Sequence, residues 1–181
     1  MKDMQEKKRD SQYLYRGRIL NLRRDTVELP NGKEAFREVV EHSGAVACLA
    51  VKDGRAVFVK QFRSPLNEEI LEIPAGRIEK GENPEDTVVR ELKEEVGIEA
   101  KRLRKLGSIF PTPGYSDEII HLYLTDDFQS TATDPDEDEF VQAVEIALSD
   151  ALALVHNGEI KDAKTICALL IYKEKYMREG K

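Results

Sequence analysis

The sequence "GRIEKGENPEDTVVRELKEEVGI" occupies residues 76–98 and decides how the rest of the chain is interpreted. It predicts a helix that begins after Asn83, because an asparagine side chain caps the first N–H groups and Pro84 suits the first helical position. Gly97 is a natural end for that helix. Aliphatic residues fall within one arc of roughly 100° on it: Val88, Val89, Leu92 and Val96. We expect this arc to be buried.

A neighbouring arc of the predicted helix, centred about 120° from the apolar one, carries Glu91, Glu94 and Glu95. Carboxylates this close at the edge of a buried face repel one another, so they either take up protons or hold a cation. Magnesium favours a few carboxylates together with phosphate oxygens. The cluster therefore predicts a metal and a phosphate, with Arg90 bracing Glu94 from one turn away. The alternative is an ordinary acidic surface helix.

The intervals between charged residues and glycines form a second pattern in the same stretch. Its defined positions are Gly76, Glu82, Arg90, Glu91, Leu92, Glu94, Glu95, Gly97 and Ile98. This series resembles the Nudix hydrolase signature at every position that the signature defines. Because both the residue types and the intervals are fixed, few short motifs are as specific.

The resemblance implies a Nudix fold in which a strand, a loop, a helix and a second loop carry the catalytic groups. It also implies hydrolysis of a nucleoside diphosphate linked to another group, with divalent metal ions. By this resemblance Glu91 and Glu95 are the main metal ligands and Glu94 is a third. Supporting positions, which fix the loop and the helix, are Gly76, Glu82, Arg90 and Gly97.

Segments outside this stretch are similar to one branch of the family, the ADP-ribose pyrophosphatases. They are "REVVEHSGAVA" (37–47), "VKQFR" (59–63), "EIPAG" (72–76), "FPTPGYSDE" (110–118) and "GEIKDAKT" (158–165). The similarity extends from about Tyr15 to Tyr172, nearly the whole chain. Ser43 departs from it, because relatives commonly have proline there.

The branch implies how the reaction is catalysed. The backbone carbonyl of Ala75 would complete the metal site, which would hold about two or three Mg²⁺ ions, with Mn²⁺ as the alternative metal. Glu118 would be the general base, carried on a mobile substrate-binding loop that includes Pro113 and Gly114. The alternative base is Glu95 or Glu94.

The branch also implies substrate contacts. Arg63 would bind the diphosphate, since a guanidinium group matches phosphate oxygens with paired hydrogen bonds. Arg37 would lie against the adenine, donated across a dimer. Tyr15 is a candidate stacking residue, although an exposed strand tyrosine that packs on its own hairpin is an equally good interpretation.

Composition limits the classes of function. The chain has 181 residues, a net charge of −7 and a pI near 5.2, which argues against a groove that wraps nucleic acid. It has no stretch near the roughly 20 apolar residues of a bilayer span, so we expect a soluble, cytoplasmic protein with no membrane partner. The two cysteines, Cys48 and Cys167, lie in apolar contexts and are interpreted as reduced core residues.

The order of patterns predicts an α+β chain in two parts. Residues 1–42 read as an N-terminal β-strand module of two or three strands, with a turn at Asn31-Gly32. Such a small antiparallel sheet needs support, so it is predicted to be swapped in a dimer. Residues 43–181 are predicted to form the Nudix domain, an α/β/α sandwich with a mixed sheet. Its last three elements are expected at Val141–Ala147, Ser149–His156 and about Ala163–Met177.

The expected function is Mg²⁺-dependent hydrolysis of ADP-ribose to AMP and ribose 5-phosphate by a homodimer. One alternative keeps the chemistry but changes the substrate to another nucleoside diphosphate sugar or a nucleoside triphosphate. A second is a non-catalytic module that senses ADP-ribose. Glu137 and Glu139, in the acidic loop, are weaker candidates for a further metal ligand.

Overall fold

The computed structural model of the chain describes residues 4–133 and 140–177, so the loop acids Glu137 and Glu139 lie outside the described residues. The chain divides into two compact units. One unit comprises Met1–Ser43 with Phe110–Ile119, and the other comprises Gly44–Ile109 with Ile120–Lys181. The segment that carries Glu118 therefore belongs to the N-terminal unit.

The N-terminal unit contains an antiparallel sheet with the order β1-β2-β3. Its strands are β1 (Lys7–Arg16), β2 (Leu20–Glu28) and β3 (Glu34–His42). The turn between β2 and β3 contains Gly32, whose φ of 79° is one that glycine adopts without strain. The N-terminal strands that the sequence predicts are thus present, and the described part of this unit contains three of them.

The larger unit contains a mixed sheet with the order β10-β5-β4-β9-β8, to which β6 adds beside β5 and β7 beside β4. Its strands are β4 (Ala45–Lys52), β5 (Arg55–Arg63), β6 (Glu68–Glu72), β7 (Ala75–Arg77), β8 (Ile98–Ile109), β9 (Ile120–Ser130) and β10 (Val141–Ala147). Strands β4 and β9 are parallel, and the other pairs are antiparallel. The central position of β4 explains its nearly continuous apolar sequence.

Helices cover both faces of this sheet. They are α1 (Pro84–Val96), α2 (Leu148–His156) and α3 (Ala163–Tyr176). Val46, Cys48 and Ala50 of β4 share a buried cluster with Val88 and Leu92 of α1. The alternate side chains of β4 share the other buried cluster with α2 and α3. In the described part of the chain, no helix combines the length and apolarity that crossing a bilayer requires.

The helix ends follow the sequence signals. The Asn83 side chain accepts hydrogen bonds from the backbone N–H groups of Glu85 and Asp86 at 3.0 and 3.1 Å, and Gly97 ends α1 with a φ of 59°. Asp162 caps α3 by accepting from the backbone N–H of Thr165 at 3.0 Å. These caps place α1 and α3 where the sequence predicts them.

The buried face of α1 differs from the predicted arc. Val88 and Leu92 are buried, but Val89 is 42% exposed, so the expectation that it is buried was wrong. Glu91 and Glu95 are only 8% and 5% exposed. The physical reason is that α1 approaches β7 on the side of the glutamates, where Gly76 leaves room for the side chain of Glu91. Two carboxylates therefore lie within the buried face and not at its edge.

Replacing Gly97 by alanine should destabilise the fold by about 2 kcal/mol or more. The left-handed backbone alone costs about 1–2 kcal/mol for a residue with a Cβ, and that Cβ would lie 2.5 Å from the backbone oxygen of Thr131. Urea unfolding monitored by circular dichroism gives the free energy of unfolding.

Gly54→Ala is the matched control, because Gly54 has a φ of +75° with nothing within 4 Å of the added Cβ. It should lose only the backbone contribution. Equal losses in the two variants would show that the contact with Thr131 costs nothing.

Candidate active site

The candidate site begins where β7 meets α1 at Gly76. A Cβ at this position would lie 1.8 Å from Oε1 of Glu91 and 2.4 Å from its Oε2. No alanine could occupy the position without displacing the carboxylate, because real Cβ atoms do not approach other atoms so closely. The glycine therefore lets the side chain of Glu91 lie directly against the strand.

Arg90 joins the helix to the loop that precedes it. Its Nη1 donates to Glu91 Oε1 at 2.7 Å and to Glu94 Oε2 at 2.9 Å. Its Nε and Nη2 each donate to the carboxylate of Glu82 at 3.1 Å, and Nη2 also donates to the backbone carbonyl of Arg77 at 3.2 Å. One guanidinium group thus holds three carboxylates and a strand carbonyl.

These contacts perturb the acidity of the groups involved. The hydrogen bond from Arg90 lowers the pKa of Glu82 to about 2, against a smaller opposing effect of burial. The same hydrogen bond, together with the charge of Glu91, raises the pKa of Arg90. Both groups are therefore charged at neutral pH, and the cation lies among the acids where their repulsion is greatest.

Glu95 is held from the strand side of the site. Its Oε2 accepts a hydrogen bond from the backbone N–H of Ala75 at 3.0 Å. Since Ala75 begins β7 and Glu95 lies in the last turn of α1, this bond fixes the end of the helix against the strand.

The donor set suits a hard divalent cation by its chemistry. Glu91, Glu94 and Glu95 supply carboxylate oxygens within two turns of one helix, and the burial of Glu91 and Glu95 makes uncompensated negative charge costly there. Among residues 4–133 and 140–177, no group of at least three Asp, Glu, His or Cys side chains already converges in the manner of a metal cage. In the structure these carboxylates receive hydrogen bonds from Arg90 and from the Ala75 amide instead.

Arg63 is the last residue of β5, and its side chain reaches Glu72 at the end of β6. Its Nε and Nη2 donate to the two carboxylate oxygens of Glu72 at 2.7 and 2.8 Å. The hydrogen bond with Glu72 raises the pKa of Arg63 despite partial burial, and the charge of Glu95 acts in the same direction. The guanidinium group is thus within the electrostatic reach of the acidic helix. Its side chain is 40% exposed.

The N-terminal unit contains the residues that the sequence predicts to contact the adenine. Tyr15 is 58% exposed on β1, where it pairs with Leu22. Arg37 lies on β3, where it pairs with Asp25 of β2, and its Nε donates to Glu6 Oε2 at 3.0 Å. The two candidates therefore lie at different positions along β2, with Tyr15 opposite Leu22 and Arg37 opposite Asp25.

The loop from Phe110 to Ile119 places Glu118 near the end of β3. The backbone N–H of Glu118 donates to Ser116 Oγ at 3.1 Å, and its Oε1 lies 3.7 Å from Nδ1 of His42. Pro113 and Gly114 are exposed in the turn before it. The turn is anchored because the backbone N–H of Val40 donates to the carbonyl of residue 115 at 2.8 Å.

The structure brings together part of the residue set that the sequence predicts. The larger unit gathers Ala75, Gly76, Glu82, Arg90, Glu91, Glu94 and Glu95, with Arg63 nearby. The N-terminal unit holds Tyr15, Arg37, Pro113, Gly114 and Glu118. Sequence reasoning missed Glu72 and Lys164, which contact each other beneath Arg63. A signal existed, because Glu72 is the charged residue in the apolar run "ILEIP" (70–74).

Family comparisons match both parts of the chain. Residues 40–169 match the NUDIX domain, and residues 6–40 match the nucleoside diphosphate sugar hydrolase N-terminal domain. Most of the large unit and most of the small sheet are therefore covered by recognised families.

Curated relatives span nearly the whole chain. An ADP-ribose pyrophosphatase of Bacillus subtilis (strain 168) is 48% identical over 172 residues, which cover 93% of each chain. A methanol dehydrogenase activator of Bacillus methanolicus is 44% identical over 168 residues, 91% of each chain. A crystal structure of an ADP compounds hydrolase superposes with a TM-score of 0.84 at 23% identity and covers 96% of each chain.

These findings confirm the predicted fold class, a Nudix fold with a small N-terminal antiparallel sheet. The structural match establishes the fold. The NUDIX domain match and the curated relatives establish the family. This chain belongs to the Nudix family.

Proposed function

We propose that the protein is a Nudix hydrolase that cleaves the diphosphate of ADP-ribose with water and releases AMP and ribose 5-phosphate. The observation that carries the proposal is the pair of buried carboxylates, Glu91 and Glu95, held against Gly76 and Ala75 at the start of β7. The 48% identity to a protein named ADP-ribose pyrophosphatase supports the choice of substrate. The proposed substrate class is thus a nucleoside diphosphate sugar.

The proposed cofactors are divalent ions. The site would hold about two or three Mg²⁺ ions, and Mn²⁺ is the alternative metal. Glu91 and Glu95 would hold them, with Glu94 and the backbone carbonyl of Ala75 as further ligands. When bound, such ions neutralise charge on a diphosphate and acidify the attacking water. The buried carboxylates provide the negative charge that makes this binding favourable.

The protein groups then perform the remaining steps. Arg63 donates hydrogen bonds to the diphosphate oxygens and orients them. Glu118 is the proposed general base. It accepts a proton from the water while the water oxygen forms a bond to phosphorus and the bridging P–O bond breaks. The alternative base is Glu95 or Glu94. Arg37 and Tyr15 are proposed to hold the adenine, with Pro113 and Gly114 in the substrate-binding loop.

A homodimer with exchanged N-terminal strands is the proposed assembly. Large apolar side chains are exposed on the small sheet of the N-terminal unit and in the turn between β1 and β2: Tyr13, Leu14, Tyr15, Ile19 and Phe36 are 42%, 48%, 58%, 64% and 57% exposed. Clustered exposed apolar side chains are typical of protein interfaces, and a sheet of this size needs an additional surface for stability.

A cytoplasmic location is proposed because both cysteines are free thiols.

Two alternatives keep the fold and change the function. The enzyme could prefer another nucleoside diphosphate sugar or a nucleoside triphosphate, since the signature specifies the diphosphate chemistry and not the attached group. The second alternative is a module that binds ADP-ribose without cleaving it. The 44% identity to a protein named methanol dehydrogenase activator shows that similar chains carry different functional names.

Glu95→Gln should lower the Mg²⁺-dependent hydrolysis of ADP-ribose by about 100-fold or more, because it removes a charged ligand from the proposed metal site. Release of AMP, followed by chromatography, measures the rate. Glu85→Gln is the matched control, since Glu85 is exposed in the first turn of the same helix, and it should retain wild-type activity. Equal activity of Glu95→Gln and wild type would contradict the assigned metal site.

Wild-type protein should hydrolyse ADP-ribose with a kcat/KM about tenfold or more above that for GDP-mannose or any deoxynucleoside triphosphate. Side-by-side initial rates at equal Mg²⁺ concentration make the comparison. Preference for either competing class would overturn the choice of substrate. Binding of ADP-ribose by calorimetry without any turnover would favour the sensing module.

Leu14→Glu should convert the proposed dimer into a monomer, because it places a charge on the exposed face of β1. Light scattering after size exclusion measures the mass. Leu66→Glu is the control, since Leu66 is 57% exposed but lies in the larger unit. A monomeric wild type, or a dimer that survives Leu14→Glu, would contradict the proposed exchange of N-terminal strands.

A further inference from the structure

Glu72 is a buried carboxylate that pairs with two cations. It is 1% exposed and accepts hydrogen bonds from Arg63 and from Lys164. Burial tends to raise the pKa of Glu72, but the hydrogen bonds and charges of these two cations outweigh it and lower the pKa. The carboxylate is therefore ionised at neutral pH and holds both cations in place.

Lys164 connects this carboxylate to the start of α3. Its Nζ donates to Glu72 Oε2 and, at 3.0 Å, to Asp162 Oδ1. Asp162 Oδ2 in turn accepts from Thr165 Oγ1 at 2.6 Å, and Thr165 Oγ1 accepts from the backbone N–H of Ile73 at 2.9 Å. The network closes on itself, because Ile73 follows Glu72 directly. It therefore locks the end of β6 to the helix cap.

The charges within this network balance. Two carboxylates, Glu72 and Asp162, lie beside two cations, Arg63 and Lys164. The two cations differ in exposure, since the Lys164 side chain is 10% exposed and that of Arg63 is 40% exposed. Lys164 thus forms the inner side of the cluster, and Arg63 forms the side that reaches solvent.

The pairing leaves one edge of the Arg63 guanidinium group directed away from Glu72. A guanidinium group has five N–H donors in a fixed plane, and the contact with Glu72 uses the edge formed by Nε and Nη2. The second edge, formed by Nη1 and the other proton of Nη2, has the spacing that suits paired oxygens of a phosphate group. A bidentate partner on the first edge therefore fixes the plane of the second.

We propose that Glu72, braced by Lys164, is a positioning residue that holds the Arg63 guanidinium group in the orientation that receives the substrate diphosphate. The inference rests on the proposed function, because it assigns Glu72 a role through the diphosphate contact of Arg63. Without this carboxylate Arg63 keeps its charge but loses its fixed plane. Substrate binding then has to order the side chain, which weakens binding.

Glu72→Gln tests the proposal. An amide offers one acceptor oxygen where the carboxylate offers two, and its NH₂ group opposes the donors of the cations. We expect KM for ADP-ribose to rise about tenfold while kcat changes less than about threefold, since the lost interaction serves ground state and transition state alike. Calorimetry with a non-hydrolysable ADP-ribose analogue should show the same loss of affinity.

A double-mutant cycle with Arg63→Gln separates positioning from a general structural effect. If Glu72 acts through Arg63, Glu72→Gln should cause almost no further rise in KM once Arg63 is replaced. If the rises in KM caused by the two single substitutions instead multiply in the double variant, the proposal is overturned. A wild type without activity on ADP-ribose would instead refute the proposed function, so the two failures are distinguishable.

Glu69→Gln is the matched control variant. Glu69 also lies on β6 and forms an ion pair across the same strand pair, with Lys60 at 2.6 Å, but its side chain is 61% exposed. It should leave KM unchanged. A rise in KM equal to that of Glu72→Gln would show that any charge loss on β6 has this effect, and it would overturn the specific role of Glu72.

A second variant is the control for misfolding of Glu72→Gln. Glu72→Gln combined with Lys164→Met removes the buried carboxylate and its inner cation together, so the net charge of the cluster does not change. If Glu72→Gln alone does not fold, the cycle with Arg63 is repeated in this background with the same expected result. Failure of both variants to fold would identify Glu72 as a structural residue and overturn the proposal.

Discussion

The site depends on negative charge that the fold places inside the protein. Glu91 and Glu95 are buried on the face of α1 that approaches β7, and Gly76 leaves room for the carboxylate of Glu91. Buried acids are unfavourable unless cations or hydrogen-bond donors compensate them. Arg90 and the backbone N–H of Ala75 supply that compensation. A divalent ion would supply more of it and would also bind the oxygens of a diphosphate, which links the electrostatic strain of the site to its proposed chemistry.

The surrounding elements are arranged to maintain this strained position. The Asn83 cap and Gly97 fix the length of α1, and its apolar residues pack on the central strand β4. On the opposite face of the sheet, the cap of α3 is tied through Lys164 to Glu72, just before β7 begins. Helices on both faces of the sheet therefore contact the short segment 72–75. A shift of α1 would change the contact between Glu95 and the backbone N–H of Ala75.

Sequence reasoning succeeded where the signal is local. The start of α1 after Asn83, its end at Gly97, and the bounds of β10 and α3 follow from residue types and their intervals. It failed where tertiary packing decides. Val89 is as apolar as Val88, but the approach of α1 to Gly76 turns Val89 outward and the glutamates inward. Glu72 contacts Lys164 of α3, more than ninety residues away along the chain, so no local pattern reveals this partner.

The most direct test of this account is a titration with Mn²⁺ followed by electron paramagnetic resonance, with a non-hydrolysable ADP-ribose analogue present. The account predicts that wild-type protein removes the signal of free Mn²⁺ as it binds the ion, and that Glu91→Gln does so much more weakly at equal concentration. A free Mn²⁺ signal that the wild-type protein leaves unchanged would contradict the claim that these buried carboxylates hold a cation for diphosphate chemistry.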